Sequence, residues 1–204
     1  MKKRMMKLFA LGFGLAMSFV PADAAILHVG ANWPGTPYAD IQSAVDAATD
    51  NNGDEIWVEQ GTYTLAATIV IDKSLAIYGG FDGAETQRDE RDWSNQVTIV
   101  DGNDVLQPLA GCFHVAGASN ATVTIDGLIV TRGYADRGGG IRNGYAASNT
   151  FGVLTVANCI LTNNHGATHA GGIFNDWGDL TVTDTTFTGN YAGNKGGAIL
   201  NYNH

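Results

Sequence analysis

Along most of the chain, apolar and polar residues alternate in runs of a few positions, each closed by glycine, asparagine or aspartate. Residues 26–29, 55–58, 68–71, 75–78, 97–100, 113–116 and 122–130 show this two-residue period, which predicts short β-strands with one face buried. One segment departs from it. Ile41, Ala44, Val45 and Ala48 recur at helical spacing behind Thr36-Pro37, a pair suited to an N-cap and a first-turn proline. This predicts a short amphipathic helix near 37–48 that ends before the Asn51-Asn52-Gly53 turn. Placed ahead of the strands, such a helix can close the open end of an apolar core.

The strand pattern repeats. Segments beginning at Thr124, Thr155 and Thr181 align so that Ile125, Val156 and Val182 match, as do Val130, Leu161 and Phe187. Each runs into small residues and then Ile-x-Asn, at 141–143, 173–175 and 199–201. The spacing is 32 residues from Ile141 to Ile173 and 26 from Ile173 to Ile199. A period of that size, with about three short strands in each, predicts one turn of a parallel β-helix stacked on its neighbours. A leucine-rich repeat needs a leucine-dense consensus, and a propeller blade needs about 40 residues or more. The predicted fold is all-β: a right-handed parallel β-helix with a short N-terminal capping helix, most regular over 123–204. The chain ends just after a strand, which leads to the expectation of a truncated C-terminal end or of a partner chain stacked on the open last coil.

The first residues follow a different pattern. Lys2, Lys3, Arg4 and Lys7 precede an uncharged apolar run from Leu8 to Val20, then Pro21 and the small-residue motif Ala22-Asp23-Ala24. This is the build of a cleavable secretory signal, and the run is shorter than the roughly 20 residues a bilayer span needs. The expected organisation is a leader at 1–24 and one β-helix domain at 25–204, secreted or held at the cell surface, with no membrane span after cleavage. Removal of the leader leaves seven basic and 19 acidic residues of the 11 and 20 in the whole chain, shifting the net charge from −9 to −12. That balance excludes a nucleic-acid partner, which would need a basic footprint. Cys112 and Cys159 are too few for a disulfide framework. Strand alternation turns Cys112 outward and Cys159 inward, so pairing is not expected.

Phe187-Thr188-Gly189-Asn190 with Gly196-Gly197-Ala198-Ile199 resembles the F-x-x-N and G-G-A-I repeats of the chlamydial polymorphic outer-membrane proteins. Ile77-Tyr78-Gly79-Gly80-Phe81-Asp82-Gly83, Arg91-Asp92-Trp93 and the stretch from Gly53 to Tyr63 resemble secreted bacterial β-helix proteins of the pectin-lyase-like superfamily. The resemblance implies a β-helix at the cell surface and a sorting or anchor segment further along. It leaves activity open, because such proteins include lyases, hydrolases and adhesins.

Three sets of residues carry candidate chemistry. Asn143, Asn175 and Asn201 stack at one turn and predict an asparagine ladder that exchanges amide hydrogen bonds between coils. Tyr134, His165 and Tyr191 align in a column beside another turn, where flat rings with polar edges suit a glycan or other cell-surface partner. Asp82, Glu85, Asp89, Glu90 and Asp92 form an acidic loop with oxygen ligands for Ca²⁺, although Arg88 and Arg91 within it favour salt bridges and the spacing is not that of an EF-hand. Catalytic clusters are not legible. Glycoside hydrolysis needs two carboxylates at a set separation, and β-elimination needs a base and a charge sink. Here Asp126, Asp136, Asp176, Asp179 and Asp184 fall at unmatched coil positions, and Arg132, Arg137, Arg142 and Lys195 are not in register with them. The expected role is a scaffold for adhesion or glycan contact without a catalytic or metal site. The alternative is a polysaccharide lyase or glycoside hydrolase whose active site lies in further coils.

Overall fold

The computed structural model describes residues 24–50, 53–108, 110–116, 121–145 and 151–202. The expected leader up to Asp23, with most of its expected cleavage motif, and Asn51 and Asn52 of the predicted turn lie outside the described residues. The rest is a parallel β-solenoid of about six turns with one short α-helix near its start.

Four parallel sheets run along the solenoid, with six, five, four and five strands among the described residues. One full coil passes through Val153–Ala157, Ile160–Thr162, His165–His169 and Ile173–Asp176, one strand per sheet. The next passes through Asp179–Thr183, Thr186–Thr188, Tyr191–Ala192 and Ile199–Tyr202. A complete coil therefore holds four strand segments, not three. The expected single strand at 122–130 is broken into Thr122–Asp126 and Leu128–Thr131. The cause is one left-handed residue at the corner: Gly127 at φ 73°, repeated as Asn158 at 51° and Asp184 at 46° in the next two coils. Glycine and asparagine accept this conformation most readily, so a single position turns the chain between sheets.

The predicted register is the observed one. Ile125, Val156 and Val182 are paired across the first sheet, and Val130, Leu161 and Phe187 across the second. Ile125, Val156, Val130 and Leu161 are fully buried in a continuous aliphatic core. Val182 and Phe187, in the last coil, pack against that core and are partly buried.

The helix spans Ile41–Ala47, and its N-cap is Asp40 rather than Thr36: the Asp40 carboxylate accepts the Ser43 amide at 2.8 Å. The helix cannot begin earlier because Tyr38 is held extended. Its amide donates to the His28 carbonyl at 2.8 Å, and its own carbonyl accepts from the Gly30 amide at 3.1 Å. Ile41, Ala44, Val45 and Ala48 point into the main core as the helical spacing predicts.

Both cysteines are buried and unpaired. Cys112 points inward, contrary to its expected outward phase, because strand pairing begins only at Phe113 and the alternation does not extend back to it. Its thiol lies 3.6 Å from the Thr131 carbonyl, and that of Cys159 lies 3.6 Å from the Ile125 carbonyl. Burial pushes both thiols up to about 12, so neither is nucleophilic at neutral pH. No helix among the described residues is long and apolar enough to cross a membrane.

Candidate functional site

The Tyr134, His165 and Tyr191 positions pair in register across the third sheet, and Leu106 continues the line in the preceding coil. The Tyr134 and His165 rings lie 4.6 Å apart and 3° from parallel, while Tyr191 follows at 5.0 Å and is tilted by 53°. Leu106 and Tyr191, at the two ends, are 57% and 59% exposed, which makes the line an apolar ridge open to solvent. The facing surfaces of Tyr134 and His165 are spent on each other. The surface this line offers is therefore the ring edges, the outer side of Tyr191 and Leu106, not a row of free ring faces.

What sets this ridge is a second amide ladder, one residue upstream of the rings. The Asn164 side chain accepts from the Gly133 amide at 2.9 Å and donates to the Val130 carbonyl at 2.9 Å and to the Asn190 side-chain oxygen at 3.0 Å. The Asn190 side chain in turn donates to the Leu161 carbonyl at 2.8 Å. Asn164 is 1% exposed, so these bonds are sheltered from water and fix the turn that presents each ring. Close backbone approach completes the support. A Cβ on Gly139 would sit 2.5 Å from the His165 amide nitrogen, and one on Gly171 would sit 2.4 Å from the Tyr191 carbonyl oxygen. The sequence signal for this ladder is the asparagine that directly precedes His165 and Tyr191.

The predicted ladder is present at the next corner. The Asn143 side chain donates to the Asn175 side-chain oxygen at 2.8 Å, and Asn175 donates to that of Asn201 at 2.7 Å. Asn143 and Asn175 are buried, and Asn201 in the last coil is exposed.

The charged residues pair more than alignment predicted. Arg132 forms a two-pronged contact with Asp101 at 2.9 and 2.5 Å, and Arg142 meets Asp176 at 2.6 Å in a buried pair. Both arginines were expected to lack an acid in register. Their side chains are long enough to reach carboxylates in the neighbouring coil. In the 82–92 loop, the arginines reach outward instead of neutralising the loop. Arg88 pairs with Glu55 at 2.6 Å and Arg91 with Asp126 at 2.9 Å. The loop acids turn onto nearby groups: Glu85 accepts the Asp82 and Gly83 amides, Glu90 those of Thr86 and Gln87, and Asp92 those of Ser94 and Asn95. Those bonds hold the Glu90 carboxyl below its ordinary value, and the Asn95 and Ser94 side chains do the same for Asp92. Among the described residues, no group of three or more His, Cys, Asp or Glu side chains is placed to hold a metal ion.

Sequence reasoning missed three features. Trp33, Trp57 and Phe81 form a separate buried cluster, with Tyr78 against it, on the outer side of the first sheet. His28 stacks on Trp33 at 4.0 Å, and Trp57 on Phe81 at 4.8 Å. The outward phase of Trp57 and Tyr78 in consecutive coils was the available signal. Second, His114 is 3% exposed, lies alongside Arg142, and has no hydrogen-bond partner for either ring nitrogen among the described residues. Burial first, then the Arg142 charge, pushes its pKa down to about 4. Third, a groove of about 350 Å³ follows the corner between the first two sheets, beside Trp93, Asn158, Ile160 and Asp184.

The fold and ridge define a parallel β-solenoid with an amide-braced aromatic edge. No protein-family model, curated protein or solved structure matches the chain.

Proposed function

We propose that this protein is an exported scaffold of the right-handed, pectin-lyase-like β-helix kind that works at the cell surface and contacts glycans without cleaving them. The observation that carries this reading is the ridge from Leu106 through Tyr134 and His165 to Tyr191, exposed at both ends and braced from behind by Asn164 and Asn190. Rigid aromatic groups cost little conformational entropy on binding, and their hydroxyl and imidazole edges supply hydrogen bonds for sugar hydroxyls. Export is supported by the basic and then apolar leader and its Ala22-Asp23-Ala24 motif. The non-catalytic part is supported by the carboxylates: Asp101, Asp126 and Asp176 are each committed to an arginine. A carboxylate oxygen turned onto an arginine is not free to face a substrate, and a general acid or base must reach the proton it moves within hydrogen-bond distance.

The test is a glycan array with the exported protein, followed by the Tyr134→Ala/Tyr191→Ala double variant. Binding in the wild type that the double variant loses, with an unchanged melting curve, supports the ridge. Binding that survives the double variant but is lost in Trp93→Ala moves the site to the groove beside Trp93. Turnover of pectate or another uronate polymer replaces the scaffold reading with a catalytic one.

A further inference from the structure

The strongest unassigned feature lies where the leader meets the first coil. Asp54 is 1% exposed and sits immediately before the second strand of the first sheet, Glu55–Glu59. One oxygen of its carboxylate accepts the Ala25 backbone N–H at 2.8 Å. The other accepts the Thr49 amide at 2.7 Å and the Thr49 hydroxyl at 2.9 Å, just beyond the capping helix. The Ala25 carbonyl accepts the Glu55 amide at 2.9 Å, so Ala25 is held from both sides. Ala24 and Ala25 are nonetheless exposed, leaving the bond between them open to a peptidase.

Asp54 therefore ties together the first strand, the end of the capping helix and the second coil. It does so at the residue that would become the N-terminus if the leader were cut after Ala22-Asp23-Ala24. We propose that Ala25 is the first residue of the mature protein and that the α-ammonium released there docks on the Asp54 carboxylate, locking the cap onto the coils. This rests on the export reading above. The step is a hydrolysis by a leader peptidase. Water adds across the Ala24–Ala25 peptide bond, Ala24 departs with the new carboxylate, and Ala25 keeps the nitrogen, which takes up a proton.

Before cleavage the contact is a neutral amide on a carboxylate. Afterwards it is a cation on a carboxylate, which adds the attraction between two full charges to a bond the carboxylate already strengthens. The ammonium has two further donors, so it can keep water contacts while holding Asp54. Cleavage elsewhere gives no such pair. One extra residue leaves an amide at Ala25, and one residue fewer removes the donor. Processing would thus tighten the part of the solenoid on which the remaining coils stack, and an exported chain would be more stable than its precursor.

The pairing has a pH signature. A paired α-ammonium has its pKa raised above the unfolded value of about 8. Its stabilisation is fully present below that value and is lost as pH rises through the raised folded pKa.

The experiment starts from chain exported with its own leader, its N-terminus determined by mass spectrometry. The Ala25-initiated protein is then compared with one that starts at Ala24, each also as Asp54→Asn, by thermal unfolding at pH 7 and at pH 10. The expected result is a start at Ala25 and a melting temperature about 3–6 °C above the Ala24-initiated form at pH 7. That advantage should shrink at pH 10 and be absent in the Asp54→Asn pair. If Asp54→Asn does not fold, the pH dependence of the two chain lengths carries the test alone. A start at Ala25 with equal melting temperatures for the two lengths would overturn the lock and leave export standing. A start at another residue would overturn the lock as well. Retention of Met1 in the mature form would overturn the export reading and the lock with it.

Discussion

Removing the amide of Asn175 tests the solenoid at its most specific point. Asn175 is 1% exposed, and its side chain makes three ladder contacts. It accepts from Asn143 at 2.8 Å and donates to the Gly178 carbonyl at 2.5 Å and the Asn201 side chain at 2.7 Å. In Asn175→Ala, the Asn143 amide keeps the Gly152 and Asp179 carbonyls, both at 3.1 Å, so its loss is small. The Gly178 carbonyl loses a bond in a buried setting, and the exposed Asn201 recovers water. One well-sheltered bond and two partly compensated ones, at about 1 kcal/mol net each, give a loss of roughly 1–3 kcal/mol. For a chain of this length that lowers the melting temperature by about 2–4 °C per kcal/mol. Asn201→Ala, at the exposed end, should cost less than half as much. Thermal unfolding followed by far-ultraviolet circular dichroism reads both. A melting temperature for Asn175→Ala equal to wild type would refute the ladder as a source of stability. Equal losses at the two positions would refute the burial argument.

Asn164→Ala should destabilise by a similar 1–3 kcal/mol, because it orphans the Gly133 amide and Val130 carbonyl behind the ridge; it should also weaken any glycan binding that depends on Tyr134, read on the same array. Leu161, fully buried between Val130 and Phe187, should lose about 2–5 kcal/mol as Leu161→Ala in urea unfolding, and Leu161→Asp should abolish soluble folded protein. His114, with its pKa pushed down to about 4 beside Arg142, Asp176 and Tyr145, stays neutral in the fold while the unfolded chain protonates near 6.5. Stability should therefore fall by about 3 kcal/mol between pH 6.5 and 4, and His114→Phe should flatten that part of the profile; an identical slope in the variant would assign the loss to other groups.

The alternation of apolar residues and the recurrence of Ile-x-Asn by themselves determined the solenoid, its register and its asparagine ladder. The reason is that each coil repeats one local environment, so a residue's neighbours across coils are its counterparts in the alignment. Ile125 over Val156 and Asn143 over Asn175 follow from that alone. The ring column followed equally well in position but not in which surfaces stay open, since Tyr134 and His165 cover each other's faces only once folded. Tertiary structure alone decided whatever depends on a corner or on long reach. Gly127, Asn158 and Asp184 share a left-handed backbone that splits one apparent strand into two, a conformation that alternation does not encode. Arg132 and Arg142 find Asp101 and Asp176 because flexible side chains cross between coils, where alignment compares only residues at matched positions. Asp54 meets Ala25 across 29 residues of chain. Nothing in either local sequence marks that contact, and it forms because the first coil closes the solenoid by laying its own start against the second.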